Sequence, residues 1–295
     1  PRHLPLPGAE LDGIVYLRTI EDSEALGGQL GEGTRVTVVG AGWIGSEVAA
    51  SARQKGCEVT MIAPEEVPLE RVLGKELGTF YLGVHTGEGV NFMAGTGVTG
   101  FEGSDRVESL TTDSGEKIES DLVVVGAGVL PRTSLAEGAG IATDNGILTG
   151  ADLQTDSPGI YAAGDVANAW HPFYEQRVRV EHWANARRQG AAAGRAMAGD
   201  DVSYDEIPYF FSDQYEVGME YVGFVTESDR IIYRGSVEER EFIAFWMNGD
   251  RVVAGMNVNV WDVSDTISDL IRSRTEVDTA KLTDSDVDLA SLLTG

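Results

Sequence analysis

The sequence predicts an α/β protein with more than one domain, and three observations support this prediction. The chain has 295 residues, of which 42% are hydrophobic and 24% charged, enough to build about two cores. Apolar runs at 36–39 and 58–62 flank a helical stretch at 46–55, the alternation that is typical of a parallel sheet. Beyond residue 202, aromatic and β-branched runs predict a separate α+β unit.

The other elements of the first half follow in chain order. Residues 1–30 are irregular at first and then predict a helix over 20–30. Runs at 84–88 and 90–94 are ambiguous, whereas 97–102, 107–111 and 117–119 predict a strand meander with turns at 103–104 and 114–115. Residues 122–125 predict a buried strand that leads into Gly126-Ala127-Gly128, so the first domain is expected to end near residue 130.

The second half has a different pattern. Short strands at 147–148 and 160–163 precede a helix over 181–197. Strands at 209–211, 221–224, 230–235, 241–247 and 251–257 are followed by helices over 263–274 and 286–293. Trp246 and Trp261 fall in this last region, and we expect both to be core residues.

The charge of the chain argues against two classes of partner. Lys and Arg number 22 against 48 Asp and Glu, and a net charge of −26 disfavours nucleic acids and anionic membranes. Residues 170–199 depart from this trend, since five Arg and two Glu give them a local charge of +3. No apolar run approaches the roughly 18 residues of a membrane span. A cytoplasmic location is expected.

Two further features of the sequence restrict its chemistry. The single Cys57 leaves no disulfide framework, C-x-x-C pair or cysteine cluster, and is expected to be a buried, inert thiol. The four His show no metal-ligand spacing, so no metal site is expected. The chain begins with Pro1 and shows no secretory signal, which suggests a trimmed or fragmentary chain.

A glycine motif between the first two strands predicts a dinucleotide site. Gly40-Ala41-Gly42-Trp43-Ile44-Gly45 reads G-x-G-x-x-G and opens an alanine-rich helix. Gly40 allows a tight turn, and Gly42 lets main-chain N–H groups reach a pyrophosphate at the positive end of the helix. Gly45 permits close packing of helix and strand. The alternative is a turn with a purely structural role.

The carboxylate that usually binds the adenosine ribose is displaced in this sequence. Ala63 stands where that residue is expected, about 20 residues after the motif. Glu65 and Glu66 come 20 and 21 residues after Gly45 and could reach a ribose 2′-hydroxyl. Between Ala63 and Arg71 there is no Arg to hold a 2′-phosphate, so NADH is favoured over NADPH. The alternative is that both Glu are solvated loop residues.

A second motif, at 159–167, is typical of a flavin site. It reads Gly159-Ile160-Tyr161-Ala162-Ala163-Gly164-Asp165-Val166-Ala167 and follows the first motif by about 120 residues. The sequence therefore indicates FAD as well as NAD(P)H.

These motifs and several others make up a resemblance that covers the whole chain. The others are residues 1–8, Tyr16-Leu17-Arg18-Thr19, Ser46-Glu47, Arg71-Val72-Leu73-Gly74, Val180-Glu181-His182-Trp183-Ala184-Asn185-Ala186 and Asn257-Val258-Asn259-Val260-Trp261-Asp262. The chain resembles FAD-dependent pyridine-nucleotide oxidoreductases of the ferredoxin reductase type, which include rubredoxin, putidaredoxin and aromatic-dioxygenase ferredoxin reductases, with apoptosis-inducing factor as a more distant relative.

The resemblance implies four regions. Residues 1–30 would be a remnant or linker of the FAD domain, and 31–130 a Rossmann-like NAD(P)-binding domain. Residues 131–200 would be the returning segment of a partial FAD-binding domain, and 201–295 a C-terminal α+β interface domain.

The resemblance also implies roles for individual residues of the flavin site. Asp165 would hydrogen-bond the flavin ribityl chain, and Gly164 would allow close approach; the alternative is a loop carboxylate that caps the next helix. Glu181, His182 and Trp183 would lie beside the flavin ring, with Trp183 near the path to the redox partner. The alternative for Trp183 is an ordinary buried tryptophan.

At the nicotinamide half of the site, the resemblance implies three residues. Glu47 would contact the nicotinamide carboxamide, and it usually pairs with a lysine of the flavin domain. Gly126 and Gly128 would flank the nicotinamide. Glu47 and Trp183 are thus the candidate catalytic residues.

The sequence departs from the resemblance in one respect. A complete member begins with a βαβ unit whose own G-x-G-x-x-G binds the FAD pyrophosphate, followed by the lysine that partners the position of Glu47, and neither is found here. We therefore expect roughly the first hundred residues to be absent, in keeping with half a domain. The flavin-domain strands after Gly140 would then lack a sheet to join.

The implied function is transfer of electrons from NAD(P)H through FAD to a ferredoxin-type iron–sulfur protein. The arginines of 170–199 would dock an acidic partner. Two alternatives stay open: an NAD(P)-binding protein without flavin, and a protein like apoptosis-inducing factor whose redox state controls its association with partners, homodimerisation included.

Overall fold

The computed structural model describes residues 1–294, which form two compact units. The first unit comprises Pro1–Leu130 together with the short segment Asp213–Glu216, and the second comprises Pro131–Ser212 and the chain from Val217 onward. The further boundaries that the sequence predicts near residues 30 and 200 stay predictions.

The first unit is built on a five-stranded parallel sheet of order β1-β8-β2-β3-β4. Its strands are β1 (Ile14–Val15), β2 (Arg35–Val39), β3 (Glu58–Ile62), β4 (Asn91–Met93) and β8 (Leu122–Val125), and its helices are α1 (Ile20–Gly27), α2 (Trp43–Gln54) and α3 (Glu70–Gly87). The predicted βαβ unit of β2, α2 and β3 is confirmed, although α2 begins three residues before the predicted start at 46.

Both faces of this sheet are buried, as expected of a parallel sheet. Alternate residues of β2 serve opposite faces. Val36 and Val38 pack with Ala49 of α2 in one core cluster, whereas Val39 packs with Ile62 in another. Cys57 is fully buried in the first cluster, as predicted.

An antiparallel meander covers the second cluster. It consists of β5 (Val98–Gly103), β6 (Val107–Thr112) and β7 (Lys117–Glu119), in agreement with the predicted meander. Phe101 and Leu110 pack there against Val39 of β2.

The structure resolves one ambiguous run of the first unit and corrects one predicted boundary. Residues 84–87, which are ambiguous in the sequence, belong to the long helix α3, and α1 ends at Gly27 rather than at residue 30. Four glycines inside α3 weaken its helical pattern because glycine disfavours a helix interior by about 1 kcal/mol. One of them, Gly74, has φ +79° and kinks the helix.

The second unit begins with α4 (Ser134–Gly138), β9 (Ile147–Thr149), β10 (Ala167–His171), β11 (Gln176–Val178) and α5 (Trp183–Met197). The predicted strand at 160–163 is wrong, since Tyr161 makes only an isolated bridge to Gln154. The expectation that the strands after Gly140 lack a sheet is also wrong. They pair with one another in a three-stranded sheet of order β11-β10-β9.

The C-terminal region contains a five-stranded sheet of order β12-β13-β16-β15-β14. Its elements are β12 (Tyr209–Gln214), β13 (Val217–Gly223), β14 (Arg230–Ser236), β15 (Glu241–Asn248), β16 (Arg251–Val258), α6 (Ser264–Ser273) and α7 (Thr279–Thr283). All five predicted strands are found. The predicted helix over 286–293 is instead a 3₁₀ helix at Leu289–Thr294, and α7 is not predicted.

Of the two tryptophans expected in the core, one is correctly predicted. Trp246 on β15 is buried, whereas Trp261 is 55% exposed. Trp261 follows the end of β16, where Asn259 and Asp262 adopt positive φ and turn the chain away from the sheet. Over residues 1–294, no helix combines the length and the apolar character needed to cross a bilayer.

Candidate dinucleotide and flavin sites

The glycine loop after β2 is a tight turn that depends on the absence of side chains. Gly40 has φ +109°, and its N–H donates to the carbonyl of Ile62 at 2.8 Å. A Cβ on Gly40 would lie 2.8 Å from the carbonyl carbon of Gly126. Only glycine fits this position without strain.

The start of α2 packs directly on this turn. A Cβ on Gly45 would overlap the carbonyl group of Gly40, and one on Gly126 would lie 3.3 Å from the Cα of Gly45. The structure therefore brings Gly40, Gly45 and Gly126 together in main-chain contact. Gly128, with φ +94°, follows Gly126, and its carbonyl accepts a hydrogen bond from the N–H of Arg2 at 2.8 Å.

The amino-terminal end of α2 fits an anionic group. Gly42 is the N-cap residue, makes no side-chain capping hydrogen bond, and has open space where a Cβ would stand. The first turn of α2 carries no acidic residue, even though the chain as a whole is strongly acidic. The main-chain N–H groups and the helix dipole therefore favour a phosphate here, and the site fits the pyrophosphate of a dinucleotide.

Three side chains of α2 lie close to this end. Trp43 is half-buried, and its ring meets that of Tyr81 edge to face, with the centroids 6.3 Å apart. Ile44 is exposed to solvent. Glu47 is half-buried one turn after Trp43, on the same side of the helix.

The two candidate ribose carboxylates have different surroundings. The N–H of Leu69 donates to the carbonyl of Ala41 at 2.9 Å, which holds the segment after β3 beside the glycine loop. Glu65 is largely buried and forms an ion pair with Arg71. Glu66 is exposed and pairs with Lys75 at 2.6 Å. This geometry favours Glu65 over Glu66 as the residue close to a bound dinucleotide.

The flavin-type motif ends in a tight turn in the second unit. Gly164 has φ +78°, and its N–H donates to Oε1 of the buried Gln189 at 2.9 Å. A Cβ on Gly164 would lie 3.2 Å from the Cβ of Ala186, so α5 packs closely on the turn. Asp165 lies in the short 3₁₀ turn Gly164–Val166, which leads into strand β10. Its flavin-binding role and the capping alternative both stay predictions.

Arg179 connects the two parts of the flavin-type site. Its Nη1 donates to the main-chain carbonyl of Asp165 at 3.0 Å, and the guanidinium forms an ion pair with Glu181. Its Nε is buried and has no hydrogen-bond partner among residues 1–294. This buried donor, beside Asp165 and Glu181, could donate a hydrogen bond to a polar group of a ligand. The residues of this site are therefore compatible with a bound flavin.

His182 and Trp183 begin α5. His182 is the N-cap residue, and its Nδ1 accepts from the N–H of Ala184 at 3.2 Å. Burial lowers the pKa of His182, while the Asp165 carboxylate opposes this shift. Trp183 is 62% exposed, and the guanidinium of Arg187 lies 4.6 Å from its ring centroid. The alternative of an ordinary buried tryptophan is therefore wrong.

The other arginines of 170–199 make local contacts. Arg177 donates to the carbonyls of Thr149 and Asn168, Arg188 lies 3.8 Å from Glu206, and Arg195 lies 3.1 Å from Asp200. The +3 charge is thus spread along α5 and the preceding strands. In the described part of the chain, no cluster of three His, Cys, Asp or Glu is arranged to hold a metal ion.

Sequence reasoning missed three residues of these sites. Gln189, which accepts a hydrogen bond from the N–H of Gly164, lies on α5, 25 residues further along the chain, and belongs to no motif. Arg179 is visible in the sequence only as part of the positively charged stretch. Arg71 belongs to the motif Arg71-Val72-Leu73-Gly74. Its pairing with Glu65 depends on the path of the chain, which the hydrogen bond of Leu69 to Ala41 holds in place.

Comparison with known proteins assigns the chain to a class of redox enzymes. Residues 1–190 match the pyridine nucleotide-disulphide oxidoreductase family, and residues 209–293 match the reductase C-terminal family. The chain belongs to the pyridine nucleotide-disulphide oxidoreductase family, whose members use FAD and NAD(H). It is therefore an oxidoreductase.

Its relatives include reductases that act in electron-transfer systems. The chain is 36% identical over 299 residues to putidaredoxin reductase of Pseudomonas putida, covering 99% of this chain and 71% of that protein. It is 37% identical over 293 residues to the ferredoxin–NAD(+) reductase component of the anthranilate 1,2-dioxygenase system of Burkholderia cepacia, covering 97% and 71%. The predicted resemblance to ferredoxin reductases is confirmed.

A solved structure supports the same assignment. The crystal structure of the covalent putidaredoxin reductase–putidaredoxin complex contains a chain that matches with a TM-score of 0.94 at 36% identity, covering 100% of this chain and 72% of that one. The predicted α/β fold class is confirmed by this match.

Proposed function

We propose that the protein is an FAD-dependent NADH:ferredoxin reductase that passes electrons from NADH to a small iron–sulfur protein. The observation that carries this proposal is the amino-terminal end of α2. It has no side-chain capping hydrogen bond, no acidic residue in its first turn and open space beside Gly42. The relatives of the chain include a ferredoxin–NAD(+) reductase component. That helix end supplies the anion site that a dinucleotide requires.

The residues of the first unit would bind and orient NADH. Main-chain N–H groups after Gly42 would hold the pyrophosphate, and Glu65 would accept a hydrogen bond from the adenosine ribose. Arg71 would hold the Glu65 carboxylate in place through their ion pair. Glu47, in the second turn of α2, would contact the nicotinamide carboxamide.

The residues of the second unit would hold the flavin. Asp165 would bind the ribityl chain, Gly164 would allow its close approach, and Glu181, His182 and Trp183 would lie beside the ring. When bound, FAD would supply the redox chemistry, as a hydride acceptor for NADH and a donor of single electrons. This chemistry needs no general acid or nucleophile from the chain, so the contribution of the residues is positioning and exclusion of water.

The exposed face of α5 would receive the redox partner. Trp183 is exposed at the start of the helix, and Arg187 stacks on it. A cationic, aromatic surface in an otherwise acidic chain suits an acidic ferredoxin, because complementary charge speeds encounter. With a single, buried Cys57, the chain is suited to the reducing cytoplasm, where we propose that it acts.

A spectrum and a turnover assay test the function together. Purified protein that binds FAD should absorb at about 450 nm, a property of the cofactor. NADH should then reduce a [2Fe–2S] ferredoxin. Binding of NADH without flavin absorbance or turnover would instead support the alternative of an NAD(P)-binding protein without redox activity.

The docking role is tested by charge reversal on α5. Arg187→Glu should slow ferredoxin reduction about tenfold at low salt, because charge complementarity affects mainly the association rate, and the deficit should shrink as salt is added. Reduction of a small uncharged dye acceptor should be unchanged, because its approach does not depend on charge. Arg195→Glu is the matched control, since Arg195 lies near the other end of the helix beside Asp200. Equal loss with both acceptors would refute the docking role.

A further inference from the structure

Helix α3 carries two buried polar side chains one turn apart, Tyr81 and His85. Both are fully buried, with 0% of their surface exposed. Residues four apart lie on the same side of a helix, so the two side chains form a short polar row in the interior of the first unit. A buried polar group normally has a hydrogen-bond partner, so both side chains are expected to have one.

His85 has its partners within the first unit. Its Nε2 lies 2.9 Å from Oε1 of Gln214, and its Nδ1 lies 3.3 Å from the hydroxyl of Tyr215. Both residues belong to the segment Asp213–Glu216 of the same unit. His85 is thus accounted for as a structural residue.

Tyr81 is different. Its hydroxyl is buried and has no hydrogen-bond partner among residues 1–294. Leaving a buried hydroxyl unpaired is costly, and apolar residues of the same shape would avoid that cost. A tyrosine at this position, where phenylalanine would fill the same space, needs an explanation.

The surroundings of Tyr81 point toward the dinucleotide site. Its ring packs at 87° against that of Trp43, the first residue of α2. Burial raises the pKa of Tyr81, and the carboxylates of Asp213 and Glu47 raise it further. The hydroxyl therefore stays protonated and can donate a hydrogen bond, and Asp213 and Glu47 are the carboxylates whose charges act on it.

We propose that Tyr81 is a positioning residue for the nicotinamide end of the dinucleotide site: its ring supports Trp43, and its hydroxyl donates to the Glu47 carboxylate when NADH is bound. This inference rests on the proposed function, in which Glu47 contacts the nicotinamide carboxamide. Tyr81 would thus act from behind Trp43 and Glu47 on the nicotinamide half of NADH. Glu65, in the segment after β3, would bind the adenosine ribose.

The variant Tyr81→Phe tests the proposal, because it removes the hydroxyl and keeps the ring. Binding of NADH and of ADP-ribose, which lacks the nicotinamide, is measured by calorimetry on protein whose flavin has been reduced beforehand, so that NADH binds without transferring a hydride. NADH should bind about tenfold more weakly, the effect of losing one hydrogen bond to a charged group. ADP-ribose should bind as in the wild type. The melting temperature should stay the same or rise, since the variant removes an unpaired buried group.

This combination separates positioning from a structural role. Tyr215→Phe is the matched control, because it removes the half-buried hydroxyl that lies 3.3 Å from Nδ1 of His85, one turn along α3 from Tyr81, and its NADH to ADP-ribose affinity ratio should equal that of the wild type. Equal affinities of wild type and Tyr81→Phe for NADH would overturn the proposal, and so would equal weakening of both ligands. A wild-type protein that binds neither ligand would overturn the proposed function and this inference with it.

Discussion

The glycine loop allows a sharp test, because Gly42 and Gly45 differ in what a methyl group would meet. At Gly42 a Cβ would enter open space, and φ is −78°, which alanine adopts readily. The unliganded fold should therefore tolerate Gly42→Ala, with a loss of at most about 1 kcal/mol because alanine is a poorer N-cap residue. The same methyl group would stand in the path of the pyrophosphate.

The loss of affinity can be estimated from the contacts it blocks. Displacing the pyrophosphate from one main-chain N–H removes a hydrogen bond to a charged group, worth about 1.5–3 kcal/mol. The dissociation constant for NADH should therefore rise about 10- to 150-fold.

Gly45→Ala is the contrasting variant. Its Cβ would overlap the carbonyl oxygen of Gly40 and lie 3.1 Å from the carbonyl carbon. Alanine should gain about 1 kcal/mol of helix propensity, but overpacking against main-chain atoms costs about 1–3 kcal/mol and cannot be relieved by rotating a side chain. The contact is with a main-chain oxygen, so we expect the upper part of that range, a net loss of about 1–2 kcal/mol and a melting temperature lower by roughly 2–8 °C.

The assay is NADH titration by calorimetry on protein whose flavin has been reduced beforehand, together with thermal unfolding of both variants. Gly42→Ala should lose affinity at nearly unchanged stability, whereas Gly45→Ala should lose stability. Wild-type NADH affinity in Gly42→Ala would refute the placement of the pyrophosphate at the end of α2. A Gly45→Ala protein as stable as the wild type would refute the packing argument.

Two further predictions concern the first unit. Glu65→Gln should weaken NADH binding about fivefold and improve the relative affinity for NADPH, because it removes a carboxylate next to the 2′ position. Glu66→Gln should leave the dissociation constants for NADH and NADPH unchanged, as measured by calorimetry. Equal effects of both variants would contradict the assignment of Glu65. Burial lowers the pKa of His85 from 6.5 to about 4, so the unfolded chain binds a proton more readily than the folded one, and the unfolding free energy should fall as the pH drops below about 6.5. By pH 4.5 this contribution should reach about 2–3 kcal/mol in urea unfolding, and His85→Gln should lack it; the same pH dependence in that variant would contradict the assignment.

Much of the fold could be predicted because local patterns and tertiary structure agree. The strands β2, β3 and β8 are short β-branched runs between glycine-rich turns, and their bounds follow from that pattern almost residue for residue. The C-terminal strands are similarly clear. Helix α3 could not be predicted because four glycines interrupt its helical periodicity, and tertiary packing of Leu73, Leu77 and Tyr81 overrides their cost.

The candidate sites could be predicted in part. The glycines of both motifs are visible because main-chain geometry demands them at fixed spacing, and Gly40 and Gly164 do have positive φ. Contacts between distant residues leave no local pattern. The pairing of Glu65 with Arg71 and the contact of Gln189 with Gly164 depend on how loops and helices meet. The exposure of Trp261 likewise depends on a turn that hydrophobicity does not reveal.

The most direct test of the account is thermal unfolding of the wild-type protein in increasing NADH, followed through tryptophan emission. Trp43 begins the helix whose end is proposed to bind the pyrophosphate, so its emission should report binding. At a ligand concentration one hundred times the dissociation constant, binding should stabilise the fold by about 2.7 kcal/mol and raise the melting temperature by several degrees. A melting temperature and emission that stay constant throughout the titration would contradict the proposed dinucleotide site.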